Sequence, residues 1–234
     1  MRTRPNNPDG TGIDGSGIEI PILYEDKDVL AANKPEGLSV IPERDFGRPC
    51  LLRILQERYG LKLFVVHRLD KDSSGVILFA THADAHRWLN GQFERREVDK
   101  TYAALVHGNV ERESGTLNHP LRQFGSGRMG ADTVRGKPSL TEYRVVERFA
   151  KHTLVDVFPR TGRRHQIRVH FYGMGHAVVG DRLYGDREKQ KEYPRLMLHA
   201  KRITWKTPEG EMRIVEASLP ESFLSVLSAL ARSP

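Results

Sequence analysis

Short apolar runs bounded by turn residues recur along the chain and predict a β-rich fold. Val76–Phe79 is such a run, and others occupy residues 64–66 and 196–200. Runs of this length between glycine, proline, aspartate and serine are typical of buried strands. Turn residues between neighbouring runs predict hairpins that pair residues 18–24 with 29–33, 140–148 with 153–158, and 203–205 with 212–217. We therefore expect an α+β fold dominated by an antiparallel sheet.

Apolar residues at helical spacing predict a few helices beside the sheet. Residues 48–59 and 83–95 carry apolar side chains four positions apart, and Gly60 is placed to end the first helix. The segment from Pro220 onward follows the same rule. The first 17 residues differ, because proline, glycine, asparagine and aspartate dominate them. We expect a disordered tail over residues 1–17 and one domain over residues 18–234.

The charge balance points to a polyanionic partner. The chain has 37 lysines and arginines against 30 acidic residues, a formal net charge of +7. The single cysteine, Cys50, excludes an internal disulfide and a zinc site built on cysteines. No apolar run reaches the ~18 residues that a membrane span needs, and the N-terminus lacks the apolar segment of a signal peptide. A cytoplasmic protein without membrane contact is expected.

One stretch, residues 65–80, concentrates candidate chemistry. It reads VVHRLDKDSSGVILFA, so that His67, Arg68 and Asp70 follow a predicted strand and a serine-rich turn leads into the next. A carboxylate beside an arginine at the end of a strand is held by a rigid core, as catalytic groups usually are. Asp70 as a simple turn cap is the alternative.

A second stretch, residues 157–180, contains no acidic residue. Thr161 is expected to cap a helix over residues 162–172, with one face in the core. The face that carries His165, Arg168 and Tyr172 would present cations to a polyanion, whereas a solvated basic face is the alternative. The cations of this stretch include Arg160, Arg163, Arg164 and Arg168.

The segment over residues 118–139 combines arginines with four glycines and is expected to be a long irregular loop. It would either close over phosphates or form a solvated insertion. Elsewhere the chain lacks the motifs of an NTP-binding loop, a dinucleotide cradle, a metalloprotease and a serine hydrolase. The remaining candidates are a carboxylate, arginines and a tyrosine on a cationic surface. This set suits catalysis on a nucleic acid without a cofactor or a metal, with an aspartate as nucleophile or base.

Together these motifs resemble the RluA-type family of RNA pseudouridine synthases. His67-Arg68-Leu69-Asp70 with Ser73-Ser74-Gly75 is similar to the family's first signature, although Ser73 stands where threonine is commoner. Residues 160–170 resemble the second signature. Supporting matches are Lys34-Pro35-Glu36-Gly37, Lys100-Thr101-Tyr102, Gly180-Asp181-Arg182-Leu183-Tyr184-Gly185 and Leu198-His199-Ala200.

The resemblance implies conversion of uridine to pseudouridine in RNA by a catalytic domain with a mixed, mainly antiparallel sheet, flanking helices and a central cleft. Asp70 would be the essential carboxylate, which attacks C1′ or C6 or removes a proton from C2′. Arg168 would pair with Asp70, and Tyr102 would stack on the flipped base and help to remove the C5 proton. Arg68 would enter the RNA where the target leaves the stack. The other residues expected to bind RNA are His67, Lys34, Lys100, Arg160, Arg163, Arg164 and His165.

The resemblance also limits the substrate. Many relatives carry an S4-like RNA-binding domain before the catalytic core, and residues 1–17 are too few to form one. We expect a monomer without cofactor that acts on a stem-loop in tRNA or 23S rRNA. A catalytically silent RNA-binding or ribosome-assembly protein is one alternative, and a metal-dependent nuclease using Asp70, Asp72 and Asp84 is another.

Overall fold

The computed structural model describes residues 18–43 and 47–232, so the predicted tail over residues 1–17 lies outside the described residues. Strands greatly outnumber helices in these ranges. The strands are β1 (Ile22–Glu25), β2 (Val29–Lys34), β3 (Phe64–Val65), β4 (Ser74–Ala80), β5 (Asp99–His107), β6 (Ser114–Leu117), β7 (Leu121–Gln123), β8 (Met129–Ala131), β9 (Thr141–Arg148), β10 (His152–Pro159), β11 (Leu198–Lys206) and β12 (Met212–Glu216). The helices are α1 (Leu51–Tyr59), α2 (Ala83–Arg95), α3 (Gln166–Gly173), α4 (Arg187–Gln190) and α5 (Glu221–Ala231).

Ten of the described strands form one sheet, in the order β1-β2-β4-β11-β5-β10-β9-β6, with β3 added to β4 and β12 added to β11. Within the described residues, the pair β4–β11 is parallel and the other strand pairs of the sheet are antiparallel. The predicted fold class, α+β with a mixed and mainly antiparallel sheet, is confirmed. The hairpins β1–β2, β9–β10 and β11–β12 are those that the sequence predicts.

The helices cover the sheet with the apolar faces that their spacing predicts. Leu51 and Leu55 of α1 are fully buried against β2 and β4, and Leu89 of α2 is buried in a second cluster with β4 and β12. Gly60 ends α1 in the left-handed conformation, as glycine commonly does after a helix. Phe223 of α5 is buried in a further cluster. No helix in residues 18–43 or 47–232 is long and apolar enough to cross a bilayer.

The parallel pair β4–β11 brings two backbones unusually close. Ser74 lies opposite His199 and Gly75 opposite Ala200. Gly75 has φ +113°, and a Cβ there would lie 2.2 Å from the carbonyl oxygen of Ala200. Only glycine fits such an approach. The serine-rich turn that the sequence predicts before this strand ends earlier than expected, because β4 already begins at Ser74 and includes Gly75.

Two other elements differ from their predictions. The expected irregular loop over residues 118–139 contains the antiparallel hairpin β7–β8. The helix expected from residue 162 begins four residues later, at Gln166, because His165 adopts the left-handed conformation with φ +53°. Thr161 does not cap it. Its Oγ1 instead accepts a hydrogen bond from Leu140 N and donates to Gln166 Oε1.

We expect Gly75→Ala to lower the free energy of unfolding by about 2–4 kcal/mol, because the added methyl group displaces β11 and the backbone stays in a region that alanine disfavours. Urea denaturation measures the change. Gly173→Ala is the matched control, since a Cβ at Gly173 meets nothing within 4 Å and φ is not positive. Its free energy of unfolding should change by less than about 0.5 kcal/mol. Equal effects of the two substitutions would contradict the close approach.

Candidate active site

Asp70 lies in the connection between β3 and β4, where a tight turn holds it. Ser73 closes this turn, since its N and Oγ both donate to the Asp70 carbonyl, at 3.2 and 2.9 Å. The Asp70 side chain is 22% exposed and faces a cleft. Its Oδ2 accepts a hydrogen bond from Arg168 Nη1 at 3.1 Å. The carboxylate is therefore fixed through one oxygen and accessible to a ligand.

Arg168 of α3 joins Asp70 to a second carboxylate. Its Nε and Nη2 donate to the two oxygens of Asp181, at 2.7 and 2.8 Å, while Nη1 reaches Asp70. Burial lowers the pKa of Arg168, but the hydrogen bonds and charges of Asp181 and Asp70 outweigh it and raise the pKa on balance. The guanidinium is thus a permanent cation between two acids. Its side chain is buried and paired with acids, so the expectation that this face of the helix presents Arg168 to a polyanion is wrong.

Asp181 is a site residue that the sequence analysis used only as part of a supporting motif. Its side chain is fully buried, and Oδ1 also accepts the N–H groups of Leu183 and Tyr184 at 3.0 Å. The tight loop after Gly180 therefore presents the carboxylate to Arg168. Its position could have indicated this role. Asp181 is the first acidic residue after the acid-free stretch 157–180, whose buried cations need a negative charge nearby.

Tyr184 and His165 complete the support around Asp70. The Tyr184 hydroxyl accepts from Met129 N at 3.0 Å and lies 2.8 Å from His165 Nδ1. His165 Nε2 lies 3.9 Å from Asp70 Oδ1. Burial lowers the pKa of His165, Asp70 opposes the shift, and Arg168 and Arg164 add to it. A neutral ring is favoured beside the carboxylate.

Tyr102 enters the same cleft from β5, in the middle of the sheet. Burial raises the pKa of Tyr102, and the nearby Asp70 carboxylate adds to the shift. The phenol therefore stays protonated at neutral pH and offers an aromatic ring with one hydroxyl. The cleft around Tyr102 and Asp70 has a volume of about 680 Å³, which is the range of small-molecule sites and suits one nucleoside.

Comparisons with known proteins point to one family. The profile of the RNA pseudouridylate synthase family matches residues 28–172. The chain is 37% identical over 232 residues to the ribosomal large subunit pseudouridine synthase D of Pseudomonas aeruginosa, covering 91% of this chain and 72% of that protein. It is 39% identical over 193 residues to the dual-specificity RNA pseudouridine synthase RluA of Vibrio cholerae, covering 82% and 79%. The solved structure of human RNA pseudouridylate synthase domain containing 4 is similar at a TM-score of 0.75 and 25% identity, over 90% of this chain and 92% of that one.

The chain belongs to the RNA pseudouridylate synthase family. The resemblance to the RluA type and the prediction of an isomerase acting on RNA are confirmed, in preference to a silent RNA-binding protein. The family match favours an isomerase over the metal-dependent nuclease. Residues 18–43 and 47–232 hold no group of three or more His, Cys, Asp or Glu side chains suited to a metal ion.

The arginines expected to bind RNA all line the cleft of this pseudouridine synthase, but they differ in how far their guanidinium groups are engaged by other residues. Arg68 and Arg164 are exposed, and within the described residues neither side chain has a hydrogen-bond or ion-pair partner. Arg163 Nε donates to the Pro138 carbonyl at 3.2 Å. Arg160 forms ion pairs with Asp99 and Glu142, each at 2.9 Å. Arg68 and Arg164 are thus the members of this set with an unengaged guanidinium.

His67 and Lys100 also line the cleft, and burial lowers the pKa of both. The pKa of His67 falls to about 3, with a smaller contribution from the Lys100 charge. Its Nε2 accepts the N–H of Leu78 at 3.0 Å, and its ring stacks on Phe93 with centroids 4.9 Å apart. His67 is therefore a neutral, fixed ring. The pKa of Lys100 is lowered by burial, opposed by Asp99 and reinforced by Arg160.

The prediction that Lys34 holds a phosphate is wrong. Lys34 is completely buried, and Nζ donates to the carbonyl oxygens of Pro35, Leu38 and Lys71 at 2.7–2.9 Å. All three donors of the ammonium are used inside the protein. Because Lys71 directly follows Asp70, the contact fixes the backbone beside the carboxylate. Lys34 supports the turn and lies out of reach of RNA.

Replacing Asp181 by asparagine keeps its size but removes the charge that Arg168 binds. We expect the free energy of unfolding to fall by about 3 kcal/mol, because the buried guanidinium loses compensation. We also expect kcat to fall roughly 100-fold, because Asp70 loses a rigid partner. Urea unfolding and tritium release from C5-labelled uridine in RNA, measured below the unfolding transition, check both values.

Asp84→Asn makes the same change in an exposed ion pair with Arg87 and should alter neither quantity. If Asp181→Asn lowers stability while kcat stays at the wild-type value, Asp181 has no role in placing Asp70.

Proposed function

We propose that Asp70 is the essential carboxylate in the isomerisation of uridine to pseudouridine in a ribosomal RNA stem-loop. The N1–C1′ bond breaks, the uracil turns, C5 joins C1′, and the proton lost from C5 is balanced by one gained at N1, so substrate and product are isomers. The observation that carries the proposal is the Asp70 carboxylate itself, held by Arg168 at 3.1 Å in a cleft of about 680 Å³.

The free oxygen of Asp70 is the reactive one in this proposal. Oδ2 is engaged by Arg168, and Oδ1 has His165 Nε2 at 3.9 Å. Attack on C1′, attack on C6 and proton removal from C2′ all require an ionised carboxylate with one accessible oxygen. In each course Arg168 holds one oxygen of the carboxylate and leaves the other accessible.

Tyr102 stacks on the flipped uracil in this scheme. Its raised pKa keeps the phenol neutral, which suits an aromatic surface and a hydroxyl donor more than a strong base. The target nucleotide must leave the RNA stack to reach the cleft, since Asp70 lies on its floor. Arg68 is exposed two residues before Asp70 and has the freedom to fill the vacated place.

The phosphates of the RNA lie along the basic stretch 160–165 in the proposal. Arg164 offers a free guanidinium, Arg163 a partly engaged one, and Arg160 a cation shared with two acids. Lys100 and His165 lie deeper in the cleft. The net charge of +7 supports binding of RNA through its backbone.

Large-subunit ribosomal RNA is the proposed target, because relatives at 37–38% identity are named ribosomal large subunit pseudouridine synthases. Relatives named as dual-specificity enzymes make tRNA the competing target. The proposed enzyme acts through its catalytic domain over residues 18–234, as a monomer in the cytoplasm that needs no cofactor.

Asp70→Asn should reduce tritium release from C5-labelled uridine by roughly 1,000-fold or more, because the amide can act neither as nucleophile nor as base. RNA binding should be retained, since the arginines remain. The matched control is Asp72→Asn, an exposed carboxylate two residues away that does not line the cleft. It should keep near wild-type turnover. Activity of Asp70→Asn comparable to that of Asp72→Asn would falsify the assignment.

Mapping of pseudouridine across total RNA tests the target. In a strain that lacks this gene, we expect one or more pseudouridines to disappear from 23S rRNA and to return when the wild-type gene is supplied. The Asp70→Asn gene should fail to restore them, which separates catalysis from RNA binding. Loss confined to tRNA would contradict the ribosomal target and leave the catalytic assignment standing.

A further inference from the structure

The cleft has a second wall, whose residues have no role in the proposed function. The C-terminal part of α2 and the residue after it contribute Asn90, Phe93, Glu94 and Arg96, whereas the residues discussed above come from the turn after β3, from β5 and from residues 160–168. Glu94, the acid on this wall, interacts electrostatically with its neighbour Arg95. The wall therefore combines an aromatic ring, an amide, a carboxylate and a cation beside the catalytic carboxylate.

Arg96 occupies a backbone position that arginine rarely takes. It ends α2 with φ +61° and ψ +34°, the left-handed conformation. Its N–H donates to the Phe93 carbonyl at 3.2 Å, and the N–H of Glu97 donates to the Gln92 carbonyl at 2.9 Å. This is a Schellman motif, in which glycine is the usual residue at this position and asparagine the next. Folding alone favours glycine here, so the helix end does not explain the arginine.

The Arg96 side chain is exposed at the cleft. Within the described residues it forms no hydrogen bond and no ion pair, in contrast to Arg95, whose Nε donates to Glu97 at 2.8 Å. The guanidinium is therefore available to a ligand. A non-glycine residue held in this conformation beside an active site is a reasoned indication of function.

Phe93, one turn earlier, adds an aromatic surface. Its ring stacks on His67 with centroids 4.9 Å apart and planes at 25°. The hydrogen bond between Leu78 N and His67 Nε2 fixes the pair. A neutral aromatic pair beside a free guanidinium matches a nucleotide, in which a base lies next to a phosphate.

We propose that Arg96 and the Phe93–His67 pair form a second RNA subsite, in which Arg96 binds a backbone phosphate and the ring pair supports a base adjacent to the target uridine. The RNA strand would then be held from both sides of the cleft, by Arg96 on one wall and by Arg164 on the other. This subsite rests on the proposed function, because it binds the same RNA substrate.

Arg96→Gly provides a test in which stability and binding move in different directions. Glycine suits the backbone conformation, so the midpoint of thermal unfolding should be unchanged or higher. The loss of one phosphate contact should raise KM roughly fivefold at 0.15 M salt, and should reduce the slope of log affinity against log salt by about 0.7–0.9. The turnover number should stay close to that of the wild type. Arg96→Lys, which keeps the charge, should restore most of the salt slope.

Arg87→Ala is the matched control, since it removes one positive charge from the same helix at an exposed position that does not line the cleft. It should change neither KM nor the salt slope appreciably.

Phe93→Leu tests the ring pair. It keeps an apolar side chain but loses the stacked ring, and should raise KM as Arg96→Gly does.

The outcomes separate the two proposals. If the wild-type protein releases no tritium from any RNA, the proposed function fails. If the wild type is active and Arg96→Gly matches Arg87→Ala in KM and salt slope, the subsite is wrong and the proposed function is unaffected. A drop in kcat together with a lower unfolding temperature would assign Arg96 to structure alone and would also overturn the subsite.

Discussion

The candidate active site depends on the ion pairs that the buried guanidinium of Arg168 forms with Asp181 and Asp70. Burying an arginine costs several kcal/mol unless charges and hydrogen bonds compensate it. Asp181 compensates it in a buried bidentate pair through Nε and Nη2, and the third guanidinium nitrogen, Nη1, donates to Asp70 in the cleft. Asp181 thus secures the arginine, and the arginine positions Asp70. This order of dependence leaves Oδ1 of Asp70 available to the proposed substrate.

Long-range contacts make this arrangement possible. Asp70 and Arg168 lie 98 positions apart in the chain. The turn that holds Asp70 continues into β4, and the close parallel contact of Gly75 with Ala200 fixes β4 against β11. Lys34 adds a further restraint by binding the carbonyl of Lys71 from inside the protein. The sheet therefore determines the position of the carboxylate before any substrate binds.

The parts of the structure that local patterns control could be predicted from the sequence, and the parts that depend on distant neighbours could not. Apolar spacing and Gly60 predict α1 well, and the recognised motifs bring Asp70 and Arg168 together. Lys34 was misassigned because the three carbonyl groups that bury its ammonium converge only in the folded chain. The hairpin over residues 121–131 was not predicted because each of its strands has only three residues. It is also held by a hydrogen bond from Met129 N to the hydroxyl of Tyr184, a residue too far along the chain to contribute to a local sequence pattern.

Burial and charge divide the cleft into two zones. On the floor, burial raises the pKa of Tyr102 and lowers that of His67 to about 3, so both rings stay uncharged, and Arg168 balances the carboxylate of Asp70. At the rim stand the free guanidinium groups of Arg68 and Arg164. The free guanidinium groups at the rim favour phosphates, and the uncharged rings on the floor favour an aromatic base. In the proposed function this separation suits a flipped nucleotide, because that conformation places the base and the backbone in the two zones at once.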